Sequence, residues 1–258
     1  MMGAHHAVSG AAAWVAVTST APYTLGLDPL PVSSVLVGAL VTAGAALLPD
    51  VDHQNATIAQ SGGMLTKGVA AVAGAASGGH RHGMHSILAI AGFTVGTVLA
   101  GRWDATVPVL GVIPAGSALL MLALIAFAAK ALKFSRGGAV KLWASAAVFV
   151  TAILVLAPEQ LVWLPKSVMI GVILHLLGDI ITTGGVPLLW PWVPKPPRSV
   201  AASPMLNAMW KPNGYLSVPV LGDAGSAREW VLCTGLSAYT LYALAATIGL
   251  FSGGVVPV

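Results

Sequence analysis

Apolar positions in this chain of 258 residues come in unbroken runs, not in alternating or one-sided patterns. A helix needs roughly 17–25 mainly apolar residues to cross a bilayer. Runs of that kind lie at about 7–24, 32–49, 84–101, 107–130, 140–157, 167–183 and 229–251. They predict an all-α, polytopic transmembrane bundle of about seven spans, forming one domain over residues 1–258. The first run is richer in Ala, Ser and Thr than the others. Residues 61–78 (SGGMLTKGVAAVAGAASG) are small and mildly apolar, which predicts a short interfacial or re-entrant helix. The Pro-rich stretch 184–228 is the longest connection, expected at the surface or folded back against the bundle.

Composition supports a bilayer as the solvent. Only 8% of residues are charged and 57% are apolar, against about a quarter charged in a soluble domain. The net charge of +4 comes from twelve basic residues scattered between apolar runs, a poor basic face for nucleic acid, so no nucleic-acid partner is expected. Those residues are better read as topology signals, because cytoplasmic loops carry the excess of Lys and Arg. Placing the richest short loop, KALKFSRGGAVK, inside puts ten basic residues inside and leaves Arg102 and Lys166 outside. This predicts a multi-pass protein of the inner (cytoplasmic) membrane with a cytoplasmic N-terminus. No basic residue precedes the first apolar run, so a standard cleaved signal peptide is not expected. Cys233 is alone, which excludes a disulfide framework or a cysteine zinc site.

Against this background the ionisable residues stand out. The seven histidines occupy four places: His5 and His6, His53, His80–His82–His85, and His175. With Asp50, Asp52 and Asp179 they fall on the cytoplasmic side of the predicted topology. Ionisable groups within spans are costly and are functional candidates by default. His175 and Asp179, four residues apart, share one helix face. A metal ion would supply the counter-charge a buried carboxylate lacks, and imidazole and carboxylate are ordinary zinc ligands; a His–Asp tether to a neighbouring helix is the alternative. In LPDVDH (48–53), Pro49 should end the second span and leave Asp50, Asp52 and His53 on the turn after it, where two close carboxylates call for a cation. A plain helix-end turn facing water is the bland reading. In GGHRHGMHS (78–86), His80 and His85 are candidate ligands with His82 in reserve, and Arg81 is suited to clamp an anionic oxygen; otherwise the segment is an interfacial anchor. Only one of His5 and His6 can face a given site. His6 is favoured, four residues before Gly10, where a missing side chain would admit another helix. His5 is expected to be exposed.

HHAVSG, LLPDVDHQNATIAQ, GHRHGMHS and HLLGDIITTGGVPLLWP together resemble the YdjM-like membrane-bound metal-dependent hydrolases, a family with LexA-regulated members. The motifs run from residue 5 to about 191, and a weaker echo continues at GSAREW. The resemblance places His6, Asp50, Asp52, His53, His80, Arg81, His85, Ser86, His175, Asp179 and Thr182 at family motif positions. The family commonly reads His-Arg-Gly-x-Thr-His-Ser where this chain has His82 for the Gly and Met84 for the Thr. Glu229, also at a family position, doubles as the end of a capping box that begins at Ser226.

The resemblance, together with these candidate ligands, implies a hydrolase that depends on one or two divalent ions, zinc foremost. The expected substrate is a phosphoester, in a lipid headgroup or another membrane-associated anion. Three carboxylates against two divalent ions leave a positive site, to which Arg81 adds, and Asp50 or Asp52 could act as general base. Two rivals use the same groups. A metal or proton transporter would need a polar path through the outer half, where only Asp28, Asp104 and Glu159 are available. A metal-stabilised, non-catalytic membrane protein would leave no coordination position open.

Overall fold

The structure is a computed structural model that describes residues 1–79, 81–108, 111–134 and 137–251. The apolar runs form α1 (Gly3–Thr18), α2 (Val32–Ala45), α4 (Ile87–Ala100), α5 (Ala115–Ala131), α6 (Ala139–Leu156), α7 (Leu164–Ile180) and α10 (Ala227–Thr247). Between them lie α3 (Met64–Ser77) and two short helices, α8 (Arg198–Ala201) and α9 (Pro204–Met209). Among the described residues three helical stretches are long and apolar enough to cross a membrane: Val32–Asp52, Ala139–Leu156 and Ala227–Thr247. The architecture is thus a helical, membrane-type bundle. One run departs from expectation. The start of 107–130 is not helical, because Ala105–Val107 and Gly111–Ile113 form the antiparallel strands β1 and β2. The β-branched residues here suit strand pairing, Gly111 takes a left-handed turn (φ 73°), and Pro114 precedes the delayed start of α5.

Glycines set how closely the helices pack. Helices in a bilayer lack a hydrophobic drive toward each other, so small residues that let backbones meet take over that role. α2 is the central helix, buried along most of its length. A side-chain carbon at Gly10 of α1 would stand 2.7 Å from the Thr42 carbonyl, which is the close approach to a neighbouring helix expected there. One at Gly171 of α7 would stand 2.7 Å from both Ala45 Cβ and Ala46 N, and one at Gly44 would overlap the Leu124 carbonyl of α5. Three helices therefore lock onto the C-terminal half of α2.

The 310 turn Leu48–Asp52 follows α2, so Pro49 ends the regular helix as its missing N–H requires. The C-terminal part of α3 lies across this turn, with Gly74 close to the Asp52 carbonyl. α3 keeps Met64, Leu65, Val69 and Val72 exposed. The long connection folds back over the same end of the bundle. Val218 N–H donates to the Ile180 carbonyl and Leu221 N–H to the Ile181 carbonyl, and Val186 bridges Leu216.

A Gly44→Val variant should lose about 1–3 kcal/mol of stability through overpacking, read as a lower melting temperature in detergent. Gly68→Ala, where a side chain meets nothing within 4 Å, should leave it unchanged or slightly raised.

Candidate metal centre

Five helix ends meet at one end of the bundle: the starts of α1, α4 and α10 and the ends of α2 and α7. His175 is the pivot. Gly171, one turn earlier on the same face of α7, lets α7 press against Ala45 and Ala46. His175 Nδ1–H can then donate to the Ala46 carbonyl at 2.8 Å. A carbonyl only accepts, so this bond fixes the tautomer and leaves the Nε2 lone pair facing inward, the arrangement by which a backbone carbonyl orients a metal-binding imidazole. His85 Nε2 lies 3.2 Å from His175 Nε2. Asp52 Oδ2 lies 3.5 Å behind His85, at its Nδ1, so the His85 Nε2 lone pair is also turned inward. Two facing lone pairs repel unless a proton or a cation lies between them.

Asp50 Oδ1 is 3.7 Å from the Nε2 of both His85 and His175, and Asp179 Oδ2 is 3.7 Å from the same two atoms. Donors around a tetrahedral zinc stand about 3.3 Å apart, given bonds near 2.0–2.1 Å. The separations observed, 3.2–3.7 Å, fit an ion with modest closure. Two compact donor groups share His175: Asp50–His85–His175 and His6–His175–Asp179. His6 stacks on the His175 ring at 3.7 Å and sets its Nε2 3.3 Å from Asp179 Oδ1. Room for it comes from Gly178, where a side-chain carbon would press on the His6 ring at 3.1 Å. Apart from Asp50, these donors are almost wholly buried.

Arg81 stands over the cluster. Its Nη2 is 3.4 Å from Asp179 and its Nη1 donates to the Gly185 carbonyl at 3.4 Å. The residue adopts a left-handed backbone (φ 58°), a strained state for a residue with a side chain and one common at functional sites. Its guanidinium fills the space a side chain at Gly184 would need. Tyr215, from the long connection, senses both Arg81 and Asp52; burial pushes its phenol up, Arg81 opposes that and Asp52 adds to it. Sequence reading missed Tyr215, since nothing local marks a tyrosine that tertiary folding carries to the site.

The other predicted residues sit elsewhere. His53 Nδ1 accepts from Asn55 N–H and joins neither donor group. His82 packs edge-on to Tyr215. Ser86 caps α4 by accepting from Ala89 N–H, and Thr182 donates to the Asp179 carbonyl, which closes the end of α7. His80 lies outside the described residues. Against expectation, His5 is buried. It pairs with Glu229 and packs edge-on to Trp230, because α10 packs against the face of α1 next to the one that carries His6. Glu229 N–H bonds Ser226 Oγ, as the cap reading expects, while its carboxylate takes N–H groups from Met2 and Gly225 as well as His5 and joins neither donor group.

The family model described as YdjM inner membrane protein matches residues 1–251. No curated protein and no solved structure matches significantly.

Metal analysis of the purified protein should find His175→Ala and Asp179→Asn depleted of bound divalent metal. Asp52→Asn should retain the ion with roughly 10–100-fold weaker affinity, as for other partners that orient a ligand. His53→Ala should bind normally.

Proposed function

The chain belongs to the YdjM inner membrane protein family, and from that premise we propose that it is a membrane-embedded, metal-dependent hydrolase of a phosphoester. The substrate is a lipid headgroup or another membrane-associated anion. One observation carries this reading: two imidazole nitrogens 3.2 Å apart, both turned inward and flanked by Asp50 and Asp179. That donor set suits zinc. Because His175 Nδ1 is committed to Ala46, only its Nε2 can ligate, which favours a single ion at the shared position. When bound, such an ion acts as a Lewis acid and lowers the pKa of water.

The chain's own residues do the rest. Ala46 and Asp52 hold the two imidazoles in orientation. With His85, His175 and Asp179 as the groups that would hold the ion and one coordination position left open, Asp50, the most accessible carboxylate of the cluster with 19% of its side chain exposed, is the residue placed to accept a proton from water. Arg81, 23% exposed, presents the free edge of its guanidinium to an anionic oxygen. Asp179 draws Arg81 and His6 to one point and so sets the spacing between phosphate clamp and ligands. The bias of basic residues supports a cytoplasmic position for this end of the bundle, where a headgroup can arrive laterally from the membrane.

Reconstituted protein incubated with a total bacterial lipid extract should release a phosphorus-containing product, detected by mass spectrometry, and a chelator should abolish this. Arg81→Gln should keep its metal while kcat/KM falls roughly 100-fold, as when an electrostatic clamp is removed. Turnover that survives both chelation and Asp179→Asn would overturn the proposal.

A further inference from the structure

A cavity of about 360 Å³ opens beside the cluster, between the C-terminal end of α3, the start of α4 and the loop after α7. Ser77, Gly83, Ala89, Gly92, Phe93 and Trp190 line it. Its size falls within the range of small-molecule pockets. Local sequence explains why it exists. Gly83 lets the Trp190 ring approach, since a side-chain carbon there would stand 3.3 Å from the indole. At Gly92, two turns into α4, a side chain would meet nothing within 4 Å, so the groove stays open along the helix. Leu88 on the same stretch is exposed, and the opening therefore faces the surroundings of the bundle.

The two ends of this groove differ in chemistry. Its deep part along Ala89, Gly92 and Phe93 is apolar. Its head is the turn Gly83–Met84, which leads directly into His85, with Arg81 two residues before it. Ile87 N–H donates to the Leu188 carbonyl at 2.9 Å, tying α4 to the loop that carries Trp190 and Gly185, the latter in contact with Arg81. Arg81, two residues before Gly83 and 23% exposed, sets a cation next to the head of this apolar trough, a combination that complements an amphiphile with an anionic headgroup and a hydrocarbon tail. A helix from another protein would match the trough and leave the head unanswered.

We infer that this groove binds one acyl chain of an anionic phospholipid, with the headgroup at Arg81 and the His–Asp cluster. The inference rests on the catalytic reading for the fate of the headgroup; occupancy by the chain does not require turnover. The site makes the protein selective for long-chain lipids over short-chain or water-soluble phosphoesters.

The test uses full-length protein in vesicles of phosphatidylethanolamine and phosphatidylglycerol that contain a phosphatidylglycerol probe with a diazirine near the end of one acyl chain. After illumination, peptides spanning 83–93 and Trp190 should carry several times more label than the lipid-exposed faces of α6 and α10. Gly92→Trp adds a ring at a position where a side-chain carbon meets nothing within 4 Å, and it should lower that label roughly tenfold while bound metal stays unchanged. Val98→Trp, at an exposed position beyond the trough on the same helix, should change neither. Equal labelling of all lipid-exposed faces would overturn the inference, and so would full labelling in Gly92→Trp. A photoreactive residue at position 88 that crosslinks to a second copy of the chain would also overturn it. Specific labelling without any turnover would sink the hydrolase and leave the groove standing.

Discussion

Carboxylates and imidazoles removed from water must be compensated, and most of this bundle's end is organised around that demand. An uncompensated ion in a low-dielectric interior costs several kcal/mol. Asp179, nearly without exposure, answers it by facing His6, Arg81, His85 and His175 together. The two inward lone pairs of His85 and His175 add a second demand that only a proton or cation meets. A divalent ion would satisfy both at once, so the donor geometry and the electrostatics point the same way.

The compensation depends on backbone contacts made by residues that carry no charge themselves. Without Gly171, α7 would stand away from Ala46, and His175 would lose the carbonyl that selects its tautomer. Without Gly10 and Gly178, α1 would not bring His6 onto the His175 ring. Small residues thus act at a distance of one helical turn from the ligands. The groove beside α4 follows the same logic, with Gly83 and Gly92 leaving room where a side chain would close it.

His5 and His6 show how adjacent residues part company. Consecutive helical positions are about 100° apart, so His6 turns to α7 and the cluster while His5 turns to α10. The helix period alone predicts that only one can serve the cluster. Burial of the other against Glu229 needed the position of α10, which no local pattern encodes. Similarly, LPDVDH marked both Asp50 and Asp52 as candidates. Their different positions, one toward the inward nitrogens and one behind His85, come from the 310 turn that sets them on opposite edges of a single ring.

The run lengths, the scarcity of charge and the grouping of His with Asp were enough, in the linear chain, to establish a helical membrane bundle and to name most of the cluster. Those features are local or compositional, and the bilayer translates them directly into helices. Which nitrogen faces inward, how Arg81 is seated over Gly184, and the arrival of Tyr215 from the long connection were decided by tertiary packing alone. Each depends on atoms far apart in sequence meeting within a few ångströms, and hydrophobic periodicity carries no information about such meetings.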